Sequence, residues 1–331
     1  MSTKNTDQST KGFNFSIEDS SALNDRLPYI LLGPGILFLI VVIAFPTVFA
    51  LYLSINVWEL TGAQGVYIGL KNYQTLVHDP RFIAAFGRSI YFTLAAVSIE
   101  LLLGLSISLG LYRIRRGTDF LFSIFLIPMT ITTPAIAYAF VLIYHPQYGF
   151  VNHILDFIGF SRIAFLGNAD WALTAIILTD VWQWTPLMIL IIYAGLEALP
   201  SEPFEAAAID GASAWQRFKW VTLPLLKPII GVALLIRGMD AFKAFGKFFI
   251  MTNGGPGTSS EVLSLLAYKV GFQRFDIGYA TSIGEIMFVI ILITSWIYIK
   301  TSNIMNDGTE ECPRRAVSCA SCYTVGSVDT H

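Results

Sequence analysis

Long apolar runs separated by short polar segments dominate this chain. A helix needs about 20 apolar residues to cross the hydrocarbon core of a bilayer, and six runs meet that length. Two of them are uncharged, three carry a single carboxylate, and the fifth carries several charges. The third, which is uncharged, is broken by Pro128 and Pro134. The pattern predicts an all-α, polytopic membrane protein with six transmembrane helices, at residues 31–55, 89–112, 120–144, 171–196, 223–252 and 277–299.

Composition agrees with this pattern. Hydrophobic residues make up 54% of the 331 positions and charged residues only 13%, whereas soluble domains carry about 25% charged residues. The mean hydropathy is +0.62. A net charge of −2 excludes the basic surface that a nucleic-acid partner requires.

The two ends of the chain are polar. Residues 1–27 have no apolar period and predict a cytoplasmic tail. They do not resemble a secretory signal, because the apolar run that follows is too long and lacks a cleavage site. Residues 28–301 form the predicted transmembrane domain, and 302–331 a second cytoplasmic tail, predicted to be disordered. We expect no metal site there, because four ligands with irregular spacing would have to form it: Cys312, Cys319, Cys322 and His331.

Positive charges in the loops set the orientation. The second-to-third connection holds Arg113, Arg115 and Arg116, and the fourth-to-fifth holds Arg217 and Lys219. Both connections are therefore predicted to face the cytoplasm, and an even number of spans then places both termini there. The bias is incomplete, because the predicted outer loops also contain cations: Lys71, Arg81, Lys269 and Arg274.

The segment 199–221 is the longest polar interruption on the predicted cytoplasmic side. Pro203 suits the first turn of a helix, and Ser201 precedes it as an N-cap. Gly211 is placed to end that helix in a left-handed conformation, and Ser213 begins a second short helix. The result is a bent pair of short helices, which either rests on lipid or docks a partner protein.

Several motifs in and around this segment resemble one known family. The residues that carry the resemblance are Trp182-x-Trp184-Thr185-Pro186, Leu199-Pro200, Glu205-Ala206-Ala207, Asp210-Gly211-Ala212, Phe218, Leu223-Pro224, Asp240-Ala241-Phe242 and Met251-Thr252-Asn253-Gly254-Gly255-Pro256. They are similar, in order and spacing, to the "EAA…G…LP" loop and the "DAF…LTxGGP" run of bacterial ATP-binding-cassette (ABC) importer permeases of the maltose type. The resemblance covers about residues 28–300.

This resemblance implies the type I ABC importer permease fold and a location in the bacterial inner membrane. It implies a subunit that translocates a sugar or sugar derivative delivered by an extracytoplasmic solute-binding protein. The partners would be two cytoplasmic ATP-binding subunits and a second, homologous permease subunit. Glu205 would make the charged contact to the ATPase, and Gly211 would set the bend. The implied ATPase-coupling residues are Glu205, Ala206, Ala207, Asp210, Gly211, Leu223 and Pro224.

The chain itself is not predicted to be an enzyme or to hold a cofactor. The glycine-rich run at 254–257 lacks the lysine of a phosphate-binding loop, so we predict no ATP site. His145 and His153 lack the spacing of a metalloprotease helix. The alternative hypotheses are that the chain is a membrane enzyme, a scaffold or a channel. The first two lack a convergent catalytic set, and the docking loop argues against a channel.

Charges within the predicted spans are costly and face each other or a cavity. Four charged residues in the fifth span are spaced by three and four, which places them on one stripe of a helix: Arg237, Asp240, Lys243 and Lys247. We expect Arg237 to pair with Asp180 or Asp240, and Lys243 or Lys247 with Glu285. Such charges either join the spans or line a polar path.

A sugar path needs hydrogen-bonding groups and flat aromatic faces. The predicted path consists of Asp180, Trp182, Gln183, Trp184, Asp240, Lys243, Lys247 and Glu285. Lys247 departs from the family pattern, in which an acidic residue often lies near this place. It would favour an acidic or phosphorylated sugar or polyol, or it would be neutralised by Glu285.

Overall fold

The computed structural model describes residues 20–59, 62, 64–114 and 117–301. Residues 1–19 of the predicted first tail, Arg115, Arg116 and the cysteine-containing tail 302–331 lie outside the described residues. The described helices are α1 (Ser20–Leu39), α2 (Phe45–Ser54), α3 (Lys71–His78), α4 (Pro80–Arg113), α5 (Thr118–Thr130), α6 (Thr133–Ile143), α7 (Phe150–Phe157), α8 (Ala169–Glu197), α9 (Glu202–Ile209), α10 (Ala214–Arg217), α11 (Leu223–Phe242), α12 (Gly246–Met251), α13 (Leu263–Tyr268) and α14 (Ile277–Thr301).

Three π-helical turns continue these helices, at Ile40–Ala44, Phe218–Thr222 and Lys269–Gln273. The first two join successive helices, and the third extends α13. The first connects α1 to α2, so the first span is helical from Ser20, within the segment predicted to be a polar tail. Large apolar side chains along Leu31–Ser54 are almost all exposed. An exposed apolar helix of this length is what a lipid environment requires.

Five helical segments of the described chain are long and apolar enough to cross a membrane. They correspond to the predicted first, second, fourth, fifth and sixth spans, and they are Leu31–Ser54, Pro80–Arg113, Ala169–Glu197, Ala214–Met251 and Ile277–Lys300. The fifth breaks at residues 243–245, between α11 and α12, just after the "DAF" run.

The predicted third span is two helices rather than one rod. Segments Phe120–Thr130 and Thr133–Ile143 meet at 92°. Pro128 lies inside α5 and Pro134 in the first turn of α6, and a proline removes a backbone donor and excludes the helical conformation from its neighbour. The predicted break is confirmed, and the sixth span exists only if the bent pair counts as one.

The core forms around α4 and α8, which pack along much of their length. Gly104 of α4 sits against Met188 of α8, because a Cβ atom at position 104 would lie 2.6 Å from the Cβ of Met188. One turn further on, the Ser108 hydroxyl donates to the Ile189 carbonyl at 3.0 Å. Phe92 of α4 meets Phe248 of α12 edge-on, with 4.8 Å between ring centroids. These contacts hold together α4, α8 and α12, and each of these helices carries a buried charged residue.

Replacement of Gly104 by alanine is expected to destabilise the protein by about 1–3 kcal/mol, because the new methyl group overpacks the α4–α8 contact. Gly110 on the same helix has no atom within 4 Å of its Cβ position, so Gly110→Ala is the matched control. Alanine favours a helix by about 1 kcal/mol over glycine, and the control should be neutral or stabilising. Thermal unfolding in detergent would contradict this packing if Gly104→Ala melted at or above the temperature of Gly110→Ala.

The predicted outer side carries the remaining small elements. Strands β1 (Asn56–Trp58) and β2 (Gln64–Tyr67) form an antiparallel hairpin, a small addition to the predicted all-α architecture. Helix α7 is a short amphipathic helix between α6 and α8. The glycine-rich run forms a turn, since Asn253, Gly254 and Gly257 have positive φ angles of 49°, 83° and 60°.

Glu261 joins this outer turn to α4. Its buried carboxylate accepts two hydrogen bonds from Arg81, at 2.7 and 2.8 Å, and pairs with Lys269 at 3.2 Å. Lys269 also donates to the Asn253 carbonyl at 2.7 Å. Burial raises the pKa of Glu261, but the hydrogen bonds from Arg81 and Lys269 outweigh it and hold the pKa below the ordinary glutamate value. The carboxylate therefore stays charged and braces the turn.

Candidate coupling segment and intramembrane charge cluster

Helix α9 is a short, exposed helix between the fourth and fifth spans. None of its residues is buried, and Ile209 at its end is 88% exposed. Ser201 occupies the N-cap position without a side-chain hydrogen bond, and Pro203 lies in the first turn, as predicted. Alanines 206–208 favour the helix by intrinsic propensity. Glu205 is exposed in the first helical turn, which leaves its carboxylate accessible.

Gly211 ends this helix in the predicted left-handed conformation, with φ of +73°. Its amide donates to the Ala208 carbonyl at 3.2 Å, and the next amide, that of Ala212, donates to the Ala207 carbonyl at 3.0 Å. Ser213 then begins α10 with a capping box, in which its hydroxyl accepts from the Gln216 amide and its own amide donates to the Gln216 side chain. Glycine is the residue that adopts such a turn without strain.

The second short helix does not end before the fifth span. Helix α10, the π turn and α11 follow one another without a break, so the second helix of the predicted bent pair is continuous with the fifth span, and Pro224 lies in the first turn of α11. The π turn explains the continuity. Leu223 donates its amide to the Phe218 carbonyl, and the Thr222 hydroxyl donates to the Arg217 carbonyl at 3.3 Å. The helix therefore accommodates Pro224, which has no amide to donate.

A cluster of charged side chains joins the four helices α4, α8, α11 and α12. Arg237 of α11, which is 1% exposed, donates to Glu100 of α4 at 2.7 and 2.9 Å. It also pairs with Asp180 of α8 and, at 3.4 Å, with Asp240. Lys247 of α12 pairs with the same Asp180. The predicted pairing of Arg237 with Asp180 or Asp240 is confirmed with both.

The predicted partner of the fifth-span lysines is wrong. Lys243 pairs with Asp240 at 3.5 Å and Lys247 with Asp180, so neither reaches Glu285. Glu285 instead lines a cavity of about 530 Å³ with Tyr268 and Thr281. Residue spacing placed the lysines on one stripe, but it did not show which neighbouring helix that stripe faces.

Four charged members of the predicted path differ in how far they are exposed. Asp180 and Lys247 are 2% exposed, so the protein encloses their charges. The side chains of Asp240 and Lys243 are 41% and 62% exposed. Trp184 is half-buried and lies beside Arg237, whose guanidinium carbon stands 5.2 Å from its ring centroid. The accessible part of the cluster is therefore Trp184, Asp240 and Lys243.

The other two predicted path residues of α8 have different surroundings. Trp182 is 45% exposed and packs against Phe140 of α6, with ring centroids 5.4 Å apart. Gln183 is 1% exposed and donates to the Ile131 carbonyl at 3.2 Å. That carbonyl lies at the break between α5 and α6, so Gln183 supports the bend of the third span.

Glu100 is the member of the cluster to which the sequence interpretation assigned no partner. It is fully buried and makes the two-point contact with Arg237. A lone carboxylate in an otherwise uncharged span was the available signal, because an intramembrane charge requires a partner. Three carboxylates and three cations thereby balance in the described cluster: Glu100, Asp180, Asp240, Arg237, Lys243 and Lys247.

Residues 101–300, which include α9 and all of this cluster except Glu100, match the family described as "Binding-protein-dependent transport system inner membrane component". The chain belongs to this family. The permease is therefore a membrane component of an ABC transporter, and the predicted resemblance is confirmed.

Named relatives are similar over most of the permease. The trehalose/maltose transport system permease protein MalF of Thermococcus litoralis is 35% identical over 282 residues, covering 85% of this chain and 95% of MalF. The trehalose transport system permease protein SugA of Mycobacterium tuberculosis is 32% identical over 309 residues, 93% and 99% of the two chains. The sulfoquinovosyl glycerol transport system permease protein SmoG of Agrobacterium fabrum is 34% identical over 281 residues, 84% and 91%.

Solved structures agree on the fold. A chain from a bacterial ABC transporter involved in the import of the acidic polysaccharide alginate superposes with a TM-score of 0.74 at 22% identity. The match covers 89% of this permease and 99% of that chain. The permease thus has the type I ABC importer permease fold that its motifs implied.

Proposed function

We propose that this permease is the subunit of an ATP-driven importer that translocates a sugar or sugar derivative delivered by an extracytoplasmic solute-binding protein. The observation that carries the proposal is α9, an exposed helix that bears the Glu205-Ala206-Ala207 motif and is followed by the Gly211 bend. Helix α9 is joined through the Gly211 bend to α10, which continues into the fifth span. A connection of this kind can pass a rigid-body motion from α9 to that span. Energy would enter the permease here, from a subunit that hydrolyses ATP.

The proposed assembly contains two cytoplasmic ATP-binding subunits and a second, homologous permease subunit. Glu205, Ala206, Ala207, Asp210 and Gly211 would form the contact with one ATPase, and Leu223 and Pro224 would connect it to α11. The orientation follows the positive-inside rule, with α9 and both termini in the cytoplasm. Glu261 and the braced turn at 253–257 would then face the binding protein.

A sugar is the substrate class that the accessible groups suit best. Trp184 offers an aromatic face, and Asp240 and Lys243 offer a hydrogen-bond acceptor and donors beside it. MalF and SugA are named for trehalose or maltose transport, which supports the proposal. An acidic or phosphorylated polyol is the alternative, and Lys243 favours it, because its side chain is 62% exposed.

Lys247 bears on this choice through its partner. Because Asp180 neutralises it inside the protein, we expect Lys247→Ala to lower stability, not to change substrate preference. Removing one partner of a buried ion pair costs about 3–5 kcal/mol. Lys243→Ala, at the exposed end of α11, is the control and should change stability by no more than about 0.5 kcal/mol. Stable Lys247→Ala protein with altered substrate preference would show that Lys247 selects the solute.

Co-purification tests the proposed function directly. The tagged permease should retain ATPase subunits, and their ATP hydrolysis should rise when the binding protein and its solute are added together. Thermal stabilisation of the isolated binding protein across a panel of neutral and phosphorylated sugars would identify that solute. A permease that purifies without an ATPase, or whose ATPase ignores the loaded binding protein, would overturn the proposal.

A further inference from the structure

A cavity of about 730 Å³ lies between the segment 199–221, called here the coupling segment, and the ends of the spanning helices. One wall is formed by the last turns of α4, from Leu105 to Arg113, and by Leu196 near the end of α8. Phe204, Trp215 and other residues of the coupling segment form the opposite wall. The cavity thus lies at one end of the helical bundle, at the depth where a span meets its connecting loop.

Two arginines face this mostly apolar space without a carboxylate partner. Arg113 and Arg217 both line the cavity, and neither forms an ion pair among the described residues. The Nε atom of Arg217 is buried and has no hydrogen-bond partner within that part of the chain. Acidic residues do lie on the adjacent α9, but none is within ion-pair distance of either guanidinium. An anion with its own apolar portion would satisfy both features of the cavity.

Aromatic residues place the same region at a membrane surface. Trp215 and Trp220 are 69% and 70% exposed, and Lys219 stands over the ring of Trp220 at 5.0 Å. Exposed tryptophans and cations of this kind collect at the headgroup level of a bilayer. Basic side chains at that level attract anionic lipids of the cytoplasmic leaflet, and guanidinium groups bind phosphate in a two-point manner.

We propose that this cavity binds an anionic phospholipid of the leaflet adjoining the coupling segment, with its phosphate on Arg113 and Arg217 and its acyl chains along Leu105 and Leu109. The lipid would fill the space between α9 and the spans, so that movement of α9 reaches α4 and α8 without an intervening void. The assignment of the cytoplasmic leaflet rests on the proposed orientation.

Native mass spectrometry of the assembled transporter, titrated with phosphatidylglycerol or phosphatidylcholine, tests this site. The wild-type transporter should bind phosphatidylglycerol at least about tenfold more tightly than phosphatidylcholine. Arg113→Gln with Arg217→Gln should weaken phosphatidylglycerol binding about thirtyfold, by the loss of two surface cations. The control, Lys227→Gln with Lys300→Gln, removes two exposed cations that do not line the cavity and should bind phosphatidylglycerol as wild type does.

Several outcomes would overturn the site. One is equal affinity for both lipids, which would make it an apolar groove without headgroup recognition. Another is equal loss in both double variants, which would indicate a diffuse charge effect. A third is lipid binding by the isolated permease that is absent from the assembled transporter, which would assign the cavity to a protein interface. If the arginine variant fails to assemble, Ser106→Trp fills the cavity from an exposed position and should displace the lipid. The ATPase content of each preparation is measured separately, so a failed lipid site is distinguishable from a failed coupling role.

Discussion

Replacement of Glu205 by arginine is expected to abolish transport while leaving the permease folded and inserted. Glu205 is exposed on a helix without buried residues, and substitutions at such positions change stability by about 0.5 kcal/mol or less. At a docked interface the same reversal leaves two like charges in contact, and loss of a buried charge pair costs about 2–5 kcal/mol of binding. ATPase association should therefore weaken about thirtyfold or more.

Glu202→Arg is the matched control for this reversal. Glu202 is also exposed and acidic in the first turn of α9, but it precedes the Glu205-Ala206-Ala207 motif. Both variants place a cation in the first turn of α9, so a specific contact should affect the Glu205 variant far more. Uptake of labelled solute by the two variants, measured at equal membrane expression, separates a specific contact of Glu205 from a general effect of the charge change. Normal uptake by Glu205→Arg would remove the role assigned to this side chain.

Replacement of Arg237 by methionine is expected to cost the folded state about 3–5 kcal/mol, because it leaves buried carboxylates without their cation. Glu100 loses both of its hydrogen bonds from Arg237, and Asp180 keeps only Lys247. The melting temperature and the yield of monodisperse protein in detergent should both fall.

A compensating substitution separates charge balance from simple loss of packing. Arg237→Met combined with Glu100→Leu removes one cation and one carboxylate, so Asp180–Lys247 and Asp240–Lys243 remain as balanced pairs. Apolar replacement of a whole buried ion pair is often neutral, and the double variant should recover most of the lost stability. A double variant as unstable as Arg237→Met alone would mean that the cluster acts through shape, not through charge balance.

Much of the architecture followed from the sequence because bilayer thickness constrains it so strongly. Apolar runs of sufficient length located the spans, and the prolines at 128 and 134 located the break in the third. The angle at that break, 92°, depends on tertiary contacts such as the one from Gln183 to the Ile131 carbonyl. A proline marks where a helix is interrupted without fixing the direction in which the chain continues.

The two candidate sites also differ in how much of each could be predicted from the sequence. Local rules identified α9 and the Gly211 turn, because capping and positive φ depend on neighbouring residues. Partners within the charge cluster required knowledge of which helices meet. Lys247 therefore pairs with Asp180 rather than with Glu285, and Glu100 entered the cluster from a span that contained no other charge. These corrections move Asp180 and Lys247 from the proposed path into the scaffold around it.

The contact between α9 and an ATPase is the central claim, and cysteine cross-linking tests it most directly. Ala206→Cys, at an exposed position of α9, would be placed in a chain whose Cys312, Cys319 and Cys322 are replaced by serine. Ser161→Cys, exposed between α7 and α8, is the control for the opposite side. A short cross-linker with a maleimide at one end and a photoreactive diazirine at the other should join the cysteine at position 206, but not the one at 161, to the ATPase subunit. Absence of that product in an assembled transporter, or an ATPase product from position 161, would contradict the account.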